Sequence, residues 1–162
     1  MADLFKDADE FVNILWNPAQ GAAASIGLPP EALLAEAALE TGWGKHIPRD
    51  RNVCSHNLFG IKAGPKWTGP VIANRTKEFV EGGFKSEVAD FRVYFDYESG
   101  FRGYVAFLRA NPRYRDALFR AEKGDVRGFF EGLQHAGYAT DPDYADKVIA
   151  IVEKVNKLRG KK

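Results

Sequence analysis

The sequence predicts an α+β fold that is mainly α-helical, with a helical body and a small antiparallel β-lobe inserted between its halves. Apolar residues recur at the helical period before residue 45 and again after residue 96. Between these stretches Gly, Pro, Lys and Asn punctuate the chain, and the helical period disappears. A chain of 162 residues can bury one sizeable core, so we expect a single domain over residues 1–162. Two such lobes leave a cleft where they meet, and extended ligands usually bind in clefts of this kind.

The first half of the helical body is predicted to contain two helices. The first covers residues 3–16, has one apolar face, and is expected to end at Asn17-Pro18. The second begins at Pro29-Pro30, runs to residue 41 and is stopped by Gly42. Its residues 32–39 are apolar nearly all round, so we expect other elements to bury this helix on most sides.

The β-lobe is predicted over approximately residues 65–95. Residues 71–80 and 84–95 are rich in Val, Ile, Thr, Phe and Tyr, which favour strands. Between them, Glu81-Gly82-Gly83 supplies the positive φ angles that a hairpin turn needs. Four further helices are predicted after the lobe: one from Asp96 to Asn111-Pro112, a short one around residues 114–119, one closed by Gly137, and one opened by Asp141-Pro142 with Asp141 as its N-cap.

Charge and composition argue against several classes of protein. The net charge is +1, from 23 Lys and Arg against 22 Asp and Glu, so we expect no nucleic-acid partner. No apolar stretch is long enough to span a bilayer, so we expect no membrane insertion, and the N-terminus lacks the pattern of a secretory signal. The single Cys54 cannot form an internal disulfide, and the three histidines are scattered, so we expect no metal and no cofactor.

Glu40 is a candidate general acid. It lies in the last turn of the apolar helix, where the helix terminus, burial and the like charge of Glu36 one turn earlier should all raise its pKa. A carboxyl group that keeps its proton near neutral pH can serve as a general acid. The alternative is a boundary glutamate that extends into solvent past Gly42. Trp43 favours the functional interpretation, because an indole there can wall a substrate-binding pocket.

Three motifs in order along the chain carry a resemblance to a known family. They are Ala-Ala-Leu-Glu-Thr-Gly-Trp-Gly at residues 37–44, Asn-Leu-Phe-Gly-Ile-Lys at residues 57–62, and Tyr-Ala-Thr-Asp-Pro-Asp-Tyr-Ala-Asp-Lys at residues 138–147. They resemble the motifs of glycoside hydrolase family 73, the peptidoglycan-cleaving β-N-acetylglucosaminidases of the lysozyme-like superfamily. Residues 91–94 and 111–114 further resemble the flagellar rod-assembly members of that family in Gram-negative bacteria.

The resemblance implies a lysozyme-like fold with Glu40 as the catalytic acid. It also implies a second carboxylate in the β-lobe, and Glu78 within Thr-Lys-Glu-Phe matches the family segment. Strand alternation places Glu78 on the opposite face from Glu81, which we interpret as a turn residue. Glu87 and Asp90 are alternatives. Activation of water, nucleophilic attack and assistance by the substrate's N-acetyl group all remain open as mechanisms.

Further candidate residues lie on the motifs and in the β-lobe. The resemblance makes Tyr138 an active-site tyrosine, and the alternative is a tyrosine packed over a helix end. Planar aromatic and amide groups suit sugar rings and hydroxyls, although Phe59 could equally be a core residue. The candidate substrate-binding residues are Trp43, Asn57, Phe59, Lys62, Trp67 and Tyr94.

The expected function is that of a periplasmic endo-β-N-acetylglucosaminidase that cleaves peptidoglycan glycan strands without a cofactor. The flagellar resemblance implies local opening of the wall for the growing rod, with flagellar rod proteins as possible partners. Two alternatives remain: a muramidase that cuts the other β-1,4 linkage, and a non-catalytic module that binds the wall or scaffolds the rod. The filled carboxylate positions, Glu40 and Glu78, argue against the non-catalytic module.

Overall fold

The computed structural model describes residues 5–160, and within this range it describes every side chain except those of residues 77–79. The described chain confirms the predicted architecture, a helical body interrupted by a small antiparallel β-lobe. The elements in chain order are α1 (Ala8–Ile26), α2 (Pro30–Thr41), β1 (Arg49–Asp50), β2 (Val53–Cys54), β3 (Val71–Val80), β4 (Gly83–Arg92), α3 (Tyr97–Ala110), a 3-10 turn (Pro112–Tyr114), α4 (Arg115–Glu122), α5 (Val126–His135) and α6 (Tyr144–Gly160).

The prediction that Asn17-Pro18 ends the first helix is wrong. Helix α1 begins after Asp7, whose side chain accepts a hydrogen bond from the backbone N–H of Glu10 at 2.9 Å, and it continues through Pro18 to Ile26. Proline removes one backbone hydrogen bond and crowds the preceding turn. The turns after Pro18 nevertheless bury one apolar face in the core, which keeps the helix continuous. The buried residues of this face are Ala19, Ala22, Ala23 and Ile26.

Helix α2 is the centre of the body and packs against α1 and α6. Its predicted bounds are confirmed: it ends at Thr41, and Gly42 follows with φ of 59° and its N–H bonded to the carbonyl of Ala38. Residues 32–38 are all buried, as the apolar sequence predicts. Glu36 is the one charged residue among them.

The β-lobe is dominated by the β3–β4 hairpin. The strands pair from Val71 with Arg92 to Val80 with Gly83, so the connecting turn is Glu81-Gly82. The second strand begins one residue earlier and ends three residues earlier than predicted. The N–H of Val93 still bonds to the carbonyl of Pro70 in register, but Pro70 has no N–H to donate in return. The next N–H, that of Tyr94, bonds to the carbonyl of Ser55 outside the hairpin.

The remaining helices follow the predicted order. Asp96 caps α3 by accepting a hydrogen bond from the N–H of Ser99 at 2.8 Å. The short helix predicted around residues 114–119 is a 3-10 turn followed by α4, and the last helix begins at Tyr144. None of the helices in the described part of the chain is long and apolar enough to cross a bilayer.

Candidate active site

An open cleft of about 510 Å³ lies where the helical body meets the hairpin. This volume is within the range of pockets that hold small ligands. The end of α2, the loop at residues 59–62, the hairpin and the loop before α6 all contribute to its walls. Its lining residues are Leu39, Glu40, Phe59, Gly60, Ile61, Lys62, Thr76, Phe84, Phe107, Tyr114, Gly137, Tyr138, Ala139, Thr140, Asp141 and Tyr144.

Glu40 lies in the wall of this cleft and is half-buried. The neighbouring loop approaches its carboxyl group closely, because a Cβ built on Gly60 lies 3.5 Å from Glu40 Oε2. Gly60 has φ of 64°, a backbone conformation that residues other than glycine rarely adopt. The helix stop at Gly42 and the turn at Gly60 therefore place one carboxyl group at the junction of body and lobe.

Glu36 lies one helical turn before Glu40 and is fully buried. The hydroxyl of Tyr104 donates a hydrogen bond to Glu36 Oε1 at 2.5 Å, and the hydroxyl of Tyr144 donates one to Oε2. Burial raises the pKa of Glu36 to about 7, and the two hydrogen bonds partly oppose this rise. From the sequence, Glu36 is expected only to act on Glu40 as a neighbouring like charge. The sequence signal for a larger role of Glu36 is its position as an acidic residue within a helix that is predicted to be buried on most sides.

Tyr138 lies in the cleft and also connects two of its walls. Its hydroxyl donates a hydrogen bond to the backbone carbonyl of Phe59 at 2.9 Å, and its ring contacts Tyr104 and Tyr114 edge to face. Burial is the main cause that raises the pKa of Tyr138 well above its usual value, and the charge of Glu36 adds to it. Tyr138 therefore both lines the cleft and packs against neighbouring rings, as the two alternatives from the sequence predict separately.

Asn57 and Phe59, both predicted to bind sugar, also hold the loop at residues 57–62 in place, and of the two only Phe59 is among the cleft-lining residues. Asn57 is 1% exposed, donates to the carbonyls of Ile61 and Arg92, and accepts from the N–H of Ile61 at 3.1 Å. The ring of Phe59 is buried and stacks on Tyr104 at a centroid distance of 3.9 Å. These contacts hold the loop in place, with Asn57 behind the cleft and Phe59 in its lining.

Trp43, which the sequence predicts to wall a substrate-binding pocket, lies outside the lining of this cleft. Its ring packs against the core residue Phe11 at 5.7 Å, and the ammonium group of Lys154 lies 5.0 Å from the ring centroid. The residue has φ of 59°, which directs the chain away at the end of α2. Trp43 therefore secures the helix terminus that carries Glu40.

Of the other predicted binding residues, Lys62 lines the cleft, whereas Trp67 and Tyr94 lie outside its lining. The indole N–H of Trp67 donates to the carbonyl of Pro70 at 3.0 Å, and its ring contacts Tyr94. The guanidinium group of Arg92 lies 4.9 Å from the Trp67 ring centroid. These residues stabilise the base of the hairpin.

Two carboxylates are candidates for the second catalytic group. The side chain of Glu78 lies outside the described residues; its backbone pairs with Lys85 in the hairpin, two residues after the cleft residue Thr76. Asp141 lines the cleft, a place that its sequence position before Pro142, typical of a helix N-cap, does not indicate. The Nζ of Lys147 lies 2.5 Å from Asp141 Oδ2, and this hydrogen bond is the main cause that lowers the pKa of Asp141.

No group of three or more His, Cys, Asp or Glu residues within the described range is arranged to hold a metal ion. The groups that the cleft presents are instead carboxyls, phenols and one ammonium group: Glu40, Asp141, Tyr114, Tyr138, Tyr144 and Lys62. Such an arrangement can donate a proton, accept one, and bind hydroxyl groups.

Comparison with known proteins gives a consistent result. The glucosaminidase family model, described as mannosyl-glycoprotein endo-β-N-acetylglucosaminidase, matches residues 16–157. The peptidoglycan hydrolase FlgJ of Vibrio parahaemolyticus is 43% identical, over 95% of this chain and 49% of its own length. The FlgJ hydrolase of Pseudomonas aeruginosa is 46% identical, over 94% of this chain and 38% of its own length. The chain thus spans about half the length, or less, of these curated relatives.

A solved structure is similar over nearly the whole of both chains. The crystal structure of a peptidoglycan hydrolase mutant from Sphingomonas sp. A1 aligns with a TM-score of 0.87 and 41% identity, covering 95% of this chain and 99% of that one. Together with the family match, this similarity confirms the resemblance indicated by the three motifs.

Proposed function

We propose, from the premise that this chain belongs to the glucosaminidase family of glycoside hydrolases, that it cleaves the glycan strands of peptidoglycan as an endo-β-N-acetylglucosaminidase. The observation that carries the proposal is the placement of Glu40 in the cleft between helical body and hairpin. Hydrolysis of a glycosidic bond needs an acid that protonates the leaving oxygen. Glu40 is half-buried in a wall that an extended polymer can reach, which suits this role.

For the second catalytic group we propose Glu78. Thr76, two residues earlier on the same strand, lines the cleft, so strand alternation supports a position for Glu78 on the same face. A carboxylate that activates water in an inverting enzyme lies about 6.5–9.5 Å from the acid, and a nucleophile in a retaining enzyme lies about 5 Å away. Asp141 is the second candidate, because it lines the cleft and the ion pair with Lys147 favours its ionised form.

The first test is hydrolysis of purified Gram-negative peptidoglycan by wild type and by Glu40→Gln. The variant should lose at least about a hundredfold of the activity, because the amide keeps the shape of the carboxyl but cannot deliver a proton. Glu153→Gln is the matched control, since the same change falls on an exposed position of α6. Full activity in a folded Glu40→Gln variant contradicts the assignment.

The cleaved linkage is tested on the released fragments. Mass spectrometry should find N-acetylglucosamine at the new reducing ends if the chain is a glucosaminidase. N-acetylmuramic acid at these ends would instead show a muramidase. Glu78→Gln and Asp141→Asn, compared in the same assay, identify the second group: the larger loss of turnover marks the carboxylate that acts on the reacting sugar or water.

We further propose a periplasmic role in which local cleavage lets a flagellar rod pass through the wall, with rod proteins as partners. The support is the similarity to hydrolases named FlgJ and the flagellar resemblance of residues 91–94 and 111–114. The test is restoration of motility in a Gram-negative strain that lacks its own rod-assembly hydrolase. Wild type should restore swimming and Glu40→Gln should not. Restoration by Glu40→Gln would favour the non-catalytic scaffold.

A further inference from the structure

The proposed function does not use the buried carboxyl of Glu36, although its like charge is one of the reasons for which the sequence predicts a raised pKa of Glu40. Glu36 is fully buried, and it lies one helical turn from Glu40 on the same helix. We infer that Glu36 is a positioning residue: its carboxylate, held beneath the cleft by the hydroxyls of Tyr104 and Tyr144, sets the pH range over which Glu40 keeps its proton. This inference rests on the proposed function, in which Glu40 is the general acid.

The hydrogen bonds at Glu36 favour its charged form. Tyr104 donates to one carboxylate oxygen and Tyr144 donates to the other. Two donors on two oxygens suit an ionised carboxylate, which only accepts hydrogen bonds. Burial acts in the opposite direction, and the balance is a pKa of about 7. Glu36 therefore gains its charge in the range where a general acid must still hold its proton.

The groups around Glu36 come from four parts of the fold. They are Tyr104 on α3, Tyr144 on α6, Tyr138 in the loop before α6 and Tyr114 in the 3-10 turn, and the charge of Glu36 raises the pKa of each phenol. No cation is among the causes that shift the pKa of Glu36 within the described residues. The donors on its two oxygens are phenols, which carry no positive charge.

Glu40 shares this environment with Glu36. The charge of Glu40 also raises the pKa of Tyr104, Tyr138 and Tyr144, so both carboxyl groups act on the same three phenols. Residues four apart on a helix are neighbours, and like charges in a poorly solvated site repel strongly. Once Glu36 is ionised, ionisation of Glu40 becomes harder. The alkaline loss of activity, which follows deprotonation of Glu40, should accordingly move to higher pH.

The test compares the pH dependence of peptidoglycan hydrolysis in wild type and Glu36→Gln. Glutamine keeps the shape and can bond both tyrosines, but it removes the charge. The alkaline limb of the variant should move to lower pH by about one unit, a roughly tenfold loss of activity on that limb. Glu153→Gln, the same change on an exposed site, should leave the profile in place. A uniform loss at every pH overturns the inference, because a merely structural role predicts it.

Tyr104→Phe is the second variant, and it decides the case if Glu36→Gln does not fold. It keeps the ring that stacks on Phe59 and removes one donor from Glu36. The charge on Glu36 then appears at higher pH, so the alkaline limb should lie between those of wild type and Glu36→Gln. An unshifted limb in a folded Tyr104→Phe contradicts the inference.

A titration that needs no turnover separates this inference from the proposed function. Carboxyl ¹³C NMR of glutamate-labelled protein, with the Glu40 signal assigned from Glu40→Gln, should give a lower pKa for Glu40 in Glu36→Gln than in wild type. An equal pKa in both proteins overturns the inference. Absence of hydrolysis by wild type at every pH would overturn only the proposed function, because the titration still decides whether Glu36 acts on Glu40.

Discussion

At the scale of single residues, the cleft depends on a glycine that brings the backbone against the carboxyl of Glu40. Gly60 has positive φ, and a Cβ there lies 3.5 Å from Glu40 Oε2. Asn57 holds this loop through hydrogen bonds to the backbone carbonyl and N–H of Ile61 and to the carbonyl of Arg92 on β4. The motif at residues 57–62 therefore shapes the site through its backbone, and its residues 59–62 line the cleft.

Gly60→Ala should reduce activity several-fold and destabilise the fold by about 1 kcal/mol, because alanine is strained in the left-handed region. Gly64→Ala is a matched control: Gly64 has φ of 68°, but nothing lies within 4 Å of its added Cβ. The control should lose similar stability and keep full activity. Initial hydrolysis rates and thermal unfolding measure both effects. Equal loss of activity in the two variants would contradict a role for the approach of Gly60 to Glu40.

Glu36 should make the stability of the fold depend on pH. Its pKa rises from 4.5 to about 7 on folding, so the native state binds this proton more tightly than the unfolded chain. The resulting stabilisation is complete below about pH 4.5 and is lost as the pH rises past about 7. It amounts to about 3 kcal/mol. Urea unfolding at pH 5 and pH 8 should show this loss in wild type and not in Glu36→Gln. The same pH dependence in both proteins would be the contrary result.

At the scale of elements, α1 shows how tertiary packing overrides a local stop signal. Pro18 lies inside the helix, and the turns after it bury Ala19, Ala22, Ala23 and Ile26. The sequence predicts a break there because proline removes a helical hydrogen bond. The burial of apolar residues after Pro18, which offsets this loss, depends on tertiary packing that a local pattern does not show.

Pro18→Ala should stabilise the fold by about 1–3 kcal/mol, because alanine restores the missing backbone hydrogen bond and relieves crowding in the preceding turn. The change is measured as a higher urea midpoint with an unchanged slope. Pro29→Ala serves as the control, since Pro29 precedes α2 and replaces no bond within the helix, so its midpoint should stay close to wild type. A lower midpoint for Pro18→Ala would show that the proline ring contributes packing that exceeds its cost.

At the scale of the whole molecule, the first and last helices meet on α2. Contacts of α2 with α1 and α6 join the two halves of the chain across the inserted lobe, and Tyr144 of α6 reaches Glu36 of α2. The prediction of one domain over residues 1–162 can be tested by calorimetry. The chain should unfold in one transition, with equal calorimetric and van't Hoff enthalpies. Two separate transitions would contradict a single domain.

The sequence by itself determined the order of the elements, the hairpin and its turn, the bounds of α2, and the place of Glu40 at the end of that helix. These features depend on local signals, namely apolar periodicity, strand-forming residues and glycines or prolines at element ends, which act within a few residues. The three motifs also indicated the family from the sequence, because each motif is a continuous run of residues.

Only the tertiary structure decided which side chains of those motifs face the cleft. Asn57 bonds to the backbone of Ile61, and the ring of Phe59 stacks on Tyr104. Trp43 packs against the helical body beside Lys154, and Asp141 lies in the cleft beside Lys147. Glu36 gained its two tyrosine partners from residues 68 and 108 positions away along the chain. Burial and hydrogen bonding between such distant segments arise when helices from both halves pack together, so no local pattern in the sequence encodes them.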